Sequence, residues 1–151
     1  MKQNECFYNC LEFNQQLKYL NHTKEGKEIF GENPTVDDII NKITLILKNH
    51  DKEIEEAYFI IHDKDRHWKD SEKTCTPHVH VMMSFYEKHN VDVCKWFGQK
   101  PEQICFPRTN FYNMVRYLTH INDKTGKHKY ELKQVVTVKG DLTKYFGKDV
   151  L

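Results

Sequence analysis

The sequence predicts an α+β domain, a mainly antiparallel sheet with helices packed on one face, and three observations carry that reading. Pro34-Thr35 opens a helix signal with Asp37 and Asp38 in its first turn and Val36, Ile39, Ile40, Ile43 and Leu47 along one face. The unbroken apolar run Ala57-Tyr58-Phe59-Ile60-Ile61 suits a central strand covered on both faces. The segment from His78 to Phe85 reads as a second strand, on which Val79 and Val81 face the core while His78 and His80 share the other side.

The remaining elements follow in chain order. Glu5 to Phe13 alternates as a first strand, and the Lys-, Glu-, Gly- and Asn-rich stretch from Asn21 to Asn33 reads as a loop or hairpin. A charged loop runs from Asp63 to Thr76. Asn90 can cap a short helix from Val91 to Phe97 that Gly98 ends, and Ile104 to Phe106 is a short strand before Pro107. Thr109 or Asn110 caps a helix to about Ile121 with Phe111, Met114, Val115 and Leu118 as its buried stripe. Tyr117 falls about 110° from the centre of that stripe, beside Asn113 and His120 on the polar side. Lys124 to Lys127 is a turn, Tyr130 to Val138 offers one or two strands, and Asp141 to Phe146 a last short helix.

At 151 residues the chain suits one domain spanning 1–151. Its 23 basic and 22 acidic residues nearly cancel, so net charge gives no argument for nucleic acid. The distribution says more. Lys95, Lys100, Arg108 and Arg116 face only Glu102 between positions 95 and 117, interleaved with Trp96, Phe97, Phe106, Phe111 and Tyr112. That mixture suits phosphates and bases, and equally a solvated face over core aromatics. Five cysteines without a C-x-x-C pair argue against a disulfide framework and for a reducing compartment. With no apolar signal core and no membrane-length apolar run, the expected location is the cytoplasm.

His78 and His80 alone are a weak signal, but His62 closes the preceding strand and Asp65 follows three residues on. Three imidazoles and a carboxylate can converge on one divalent first-row ion, with Mn²⁺ or Mg²⁺ as the expected metal and zinc still open. Cys75-x-x-His78-x-His80 offers a competing structural zinc set, without a second cysteine at finger-like spacing. A metal that polarises a phosphoryl oxygen would let a nearby phenolate attack phosphorus, which makes Tyr117 a candidate nucleophile. Tyr112 lies roughly 140° around the helix from it, so a single-tyrosine site is the economical arrangement.

These residues resemble the HUH endonucleases, named for His-hydrophobic-His, and among them the replication initiators of small rolling-circle plasmids from Gram-positive bacteria. His62-Asp63-Lys64-Asp65, His78-Val79-His80 and Tyr117-Leu118-Thr119-His120 match that group's three signatures in order and with similar spacing. The resemblance covers roughly residues 7–146 and is closest over 57–130. It implies a five-stranded antiparallel sheet flanked by helices, a divalent metal held by His62, Asp65, His78 and His80, and attack by Tyr117 on single-stranded DNA. The products would be a 5′-phosphotyrosyl bond and a 3′-hydroxyl for a polymerase to extend, starting rolling-circle replication of a plasmid or related element.

Lys64, Lys95, Arg108 and Arg116 are the candidate DNA contacts. Single-stranded DNA at a replication origin would be the partner, with host helicase and polymerase beside it. Such initiators usually carry a further domain, and this chain stops at Leu151. Two rivals remain: a single-tyrosine transposase or relaxase of the same superfamily, and a non-enzymatic single-strand-binding module.

Overall fold

The computed structural model describes residues 8–64, 76–106, 109–121 and 128–147. Its centre is a five-stranded sheet of β1 (Tyr8–Gln16), β2 (Ile54–His62), β3 (His78–His89), β4 (Ile104–Cys105) and β5 (Val136–Lys139). The strand order is β4-β1-β3-β2-β5 and every neighbouring pair is antiparallel. The α+β class is as the residue patterns predict. Among the described residues no helix is long and apolar enough to cross a membrane.

The helices lie on both faces of the sheet rather than on one. Alternation on the three long strands sends Leu11 and Phe13, Ala57 and Phe59, and Val79, Val81, Met83 and Phe85 into one core. Helices α1 (Lys24–Phe30) and α2 (Val36–Asn49) and the 3-10 segment Val91–Phe97 seal that core from above. Tyr58, Ile60 and Met82 point the other way, into a second core closed by helix α3 (Phe111–Tyr117) and by Tyr130, Val135, Tyr145 and Phe146. A continuous apolar strand such as β2 is the sequence mark of a strand covered on both sides, and both covers are present.

Helix α2 forms where expected. Thr35 Oγ1 accepts from Asp38 N at 3.0 Å and Asp38 Oδ2 accepts from Thr35 N at 3.0 Å, a reciprocal cap on the first turn. Its buried stripe is Ile39, Ile43, Ile46 and Leu47, while Val36, the first helical residue, stays half exposed.

The stretch read as a loop between Asn21 and Asn33 instead contains α1. Thr23 Oγ1 accepts from Gly26 N at 2.8 Å to start it, and only Gly26 and Phe30 are buried along its two turns. So short a helix, with Phe30 buried and Ile29 only partly so, shows no periodic stripe and reads as polar linker.

Smaller differences concern extent: β1 continues past Phe13 to Gln16, and β3 past Phe85 to His89. The Val91–Phe97 segment is 3-10, with the expected Asn90 cap. Helix α3 stops at Tyr117 instead of running to Ile121. Only Val136–Lys139 of the 130–138 stretch is strand, with a 3-10 turn at Leu132–Gln134 before it.

Gly98 joins two of the first core's three covering elements, α1 and the Val91–Phe97 segment. It sits at φ +68°, and its carbonyl accepts from Thr23 Oγ1, the residue that caps α1. A Cβ there would lie 2.6 Å from Gly26 N and 2.7 Å from Glu25 C, so α1 would have to move away. Gly98→Ala therefore adds left-handed strain to a backbone clash. Urea denaturation should show a loss of at least about 2 kcal/mol, more than the left-handed conformation alone costs an L-residue.

Candidate active site

The antiparallel register brings the three predicted histidines together. His62 and His78 are direct cross-strand partners on β2 and β3, and His80 follows on the same face two residues later. One ring nitrogen from each of His62, His78 and His80 lies within 4.8 Å of the others. His62 and His80 are buried and His78 is partly exposed, so the cluster opens to solvent on one side. Asp65 and Cys75 lie outside the described residues.

The outward-facing nitrogens decide what the inward ones can do. His62 Nε2 donates to the Leu118 carbonyl at 2.6 Å, and His78 Nδ1 donates to the Thr76 carbonyl at 3.2 Å. A carbonyl can only accept, so each neutral ring carries its proton outward. His62 Nδ1 and His78 Nε2 then face each other 3.3 Å apart as lone-pair nitrogens, an arrangement that a shared cation or proton stabilises. His80 Nδ1 lies 2.6 Å from Glu12 Oε1 without forming a hydrogen bond, and the carboxylate beside it favours the tautomer with the proton on Nδ1. This donor set of three oriented imidazoles fits a divalent first-row metal.

The chain leaving α3 borders the same cluster. Tyr117 is 41% exposed, and its ring centroid is 6.2 Å from that of His80 and 5.0 Å from that of His120. Because Leu118 carries the carbonyl that holds His62, the end of α3 is pinned to the histidine cluster one residue after Tyr117.

His120 is not on the polar side as the helical projection places it. The helix has already ended, His120 adopts φ +59°, and the turn drops its ring under the site, 2% exposed, with Nδ1 donating to the His128 carbonyl at 2.8 Å. Sequence reading also misses Glu12 and Tyr130, whose ring stacks on His62 at 4.5 Å. The signal for Glu12 was its place among Cys10, Asn14 and Gln16 on the polar face of β1, which acquires meaning only once β1 pairs with β3.

Residues 45–142 match the family described as plasmid replication protein, origin binding domain. The chain belongs to this family. A replication protein of Onion yellows phytoplasma (strain OY-M) is 27% identical over 106 residues, covering 64% of this chain and 28% of that protein. The chain thus matches less than a third of its relative's length. DNA at a plasmid replication origin is the partner the family description names.

The candidate DNA contacts of this origin-binding domain do not share one surface. Lys95 is exposed on the segment that lids the first core, beyond the sheet from the histidines, and lies 3.5 Å from Asp92. Arg116 donates from Nη1 to the Tyr145 carbonyl at 2.6 Å and packs over Tyr112 and Phe146, which ties α3 to the C-terminal segment. Lys64 is exposed two residues beyond His62. Arg108 is outside the described residues. Trp96 and Phe97 are structural, Trp96 stacked on His50 at 3.7 Å and Phe97 on Phe13 at 4.5 Å.

Tyr130 lies against the cluster itself, its ring on His62 and its hydroxyl accepting from Lys64 N at 3.0 Å, while the other tyrosines on the Tyr117 side of the sheet are committed elsewhere. Tyr112 is exposed but packs toward Tyr145 and Arg116. Tyr58 and Tyr145 both donate to the Glu56 carboxylate, and Lys144 Nζ lies 2.8 Å from it. Burial and the Glu56 charge raise both phenols, Tyr145 to about 12, so neither ionises near neutrality.

Burial alone would raise the Glu56 carboxyl, but Lys144 and the two hydroxyls together hold it below its usual range. A folded value lowered in this way stabilises the domain above the unfolded value, and the benefit fades as pH falls through the folded value. Glu56→Gln should therefore cost about 1–3 kcal/mol at neutral pH. Paired urea titrations at pH 7 and about pH 3 should show the gap between wild type and variant closing at the acidic end.

Proposed function

We propose that this origin-binding domain nicks and rejoins single-stranded DNA at a plasmid replication origin, using one divalent metal and Tyr117, and so initiates rolling-circle replication in the cytoplasm. The observation that carries the reading is the convergence of three outward-anchored imidazoles beside an exposed tyrosine, on a chain of the plasmid origin-binding family. His62, His78 and His80 would hold Mn²⁺ or Mg²⁺, joined by Asp65 from the adjoining segment. The metal, when bound, supplies Lewis-acid polarisation of a phosphoryl oxygen.

The chain's own residues do the rest. Leu118, through His62, sets the end of α3 against the cluster, and the 41% exposure of Tyr117 lets a phosphodiester approach its hydroxyl. The Tyr117 oxygen forms a bond to phosphorus as the bond to the 3′-oxygen breaks, and the phenolic proton ends on that oxygen. One ester replaces another. The step consumes no water and its reversal rejoins the strand. Glu12 keeps the His80 proton on the outer nitrogen, as carboxylates beyond a metal's ligands commonly do.

Two measurements test this. With Mn²⁺ and origin-derived single-stranded oligonucleotides, wild type should form an adduct that survives denaturing gels, and Tyr117→Phe should form none while still binding the DNA. Tyr112→Phe and Tyr130→Phe should retain adduct formation, and adduct mapped to another tyrosine would overturn the assignment. Origin binding with no adduct from wild type would make the domain a non-enzymatic module.

By isothermal titration, His80→Ala should lose Mn²⁺ binding and with it nicking. Glu12→Ala should weaken Mn²⁺ binding about 10–100-fold, the usual effect of removing a partner that orients a ligand. Unchanged affinity in both variants would remove the metal assignment.

A further inference from the structure

Among the described residues, the sheet face that carries the histidines is covered over only part of its width. Helix α3 and residues 130–146 close it over β2 and β3, through Tyr58, Ile60 and Met82. Over β1 and β4 the same face presents Glu12, Asn14, Gln16 and the exposed Cys105. A groove of about 670 Å³ lies there, starting at His78 and lined by Asn14, Gln16, Tyr19, Glu102 and Gln103. Asn14 is the cross-strand partner of His80 and Gln16 that of His78, so the groove's floor continues the histidine row across one strand spacing.

The lining selects an occupant. Among the described residues it includes no lysine or arginine, and Glu102 adds a negative charge, so this lining does not suit a phosphate. Primary amides present a donor and an acceptor side by side, the pattern that reads base edges, and a carboxylate accepts from an exocyclic amine. Tyr19 is 38% exposed, with Lys18 Nζ 5.0 Å from its ring centre and the His22 ring edge-on at 4.8 Å, which presents a supported aromatic surface for stacking. Gln15 also lines the groove, but its amide is already engaged, donating to Gln99 Oε1 at 3.1 Å and accepting from Gln16 N at 2.9 Å. The volume is within the range of about 300–1,000 Å³ typical of small-ligand sites.

We propose that the amide-lined groove beside His78 is a base-reading subsite, which holds an unpaired nucleobase of the origin single strand next to the phosphate at the histidine cluster. It rests on the reading of the histidines and Tyr117 as the nicking site. Tyr19 stacks the base, and Asn14, Gln16 and Gln103 read its edge. Glu102 accepts from an exocyclic amine, so adenine, cytosine or guanine is accepted and thymine, which has none, is disfavoured.

The test uses the full chain with Mn²⁺ and single-stranded oligonucleotides in which each position around the mapped nick is varied in turn. Adduct yield and fluorescence-anisotropy binding are read in parallel. Wild type should disfavour thymine at least about tenfold at one position adjoining the nick, a discrimination of the size one well-placed polar contact gives. Glu102→Ala should flatten the discrimination against thymine at that position alone, and Asn14→Ala and Gln103→Ala the discrimination among the other three bases there. Tyr19→Ala should weaken binding about tenfold whatever the base, as loss of a stacking surface does. Mn²⁺ affinity should be unchanged in all four.

Variants that keep the wild-type preference at every position overturn the subsite, as does a preference lost only together with Mn²⁺ binding. If wild type forms no adduct, the nicking reading fails separately. The anisotropy series then decides the groove alone: a base preference lost in the amide variants supports it, and one that persists removes it.

Discussion

Everything in this domain is registered on β3, which is packed on both faces. Val79, Val81, Met83 and Phe85 enter one core and Met82 enters the other, so the strand cannot slip by one residue without exchanging its two sets of side chains. That constraint fixes His78 and His80 on the face opposite the valines. The pairing of β2 against β3 then sets His62 directly across from His78, and the pairing of β1 sets Asn14 across from His80. The cluster is a consequence of the packing of the residues that alternate with it along the strands.

Acceptors around the cluster give it a direction. Backbone carbonyls at Leu118 and Thr76 and the Glu12 carboxylate engage the outer nitrogens of the three rings, so the inner nitrogens converge. One of those acceptors also belongs to the turn after Tyr117. The same hydrogen bond that orients His62 thus positions the proposed nucleophile, and ring orientation and tyrosine placement are mechanically linked. On the far side of the second core, Glu56 gathers Tyr58, Tyr145 and Lys144 and holds the C-terminal segment that backs α3.

The two faces of the sheet have unequal roles. One is sealed by α1, α2 and the segment after β3, with Gly98 and Thr23 joining the lids. Among the described residues the other is sealed only over β2 and β3, which leaves the polar face of β1 beside the histidines open to a ligand. Basic residues close in sequence between 95 and 116 are divided by this arrangement, because Lys95 rides on one cover and Arg116 on the other. Proximity along the chain says little about a shared surface when the sheet lies between.

Periodicity by itself determined the strands, the capped helix α2 and the pairing of His78 with His80 on one face, because alternation and capping are local and leave a mark in a few adjacent residues. It also placed Tyr117 at a solvent-facing edge of its helix. Tertiary structure decided the rest. Helix α1 carries too little apolar surface to announce itself, and the end of α3 is set by the left-handed turn at His120 rather than by any breaker in the sequence. The cover on the second face comes from residues such as Tyr130 and Tyr145, which lie far along the chain from the strands they cover. Glu12 and Asn14 reach the histidines only through a ladder between residues about seventy apart in sequence, and contacts at that separation have no local signature.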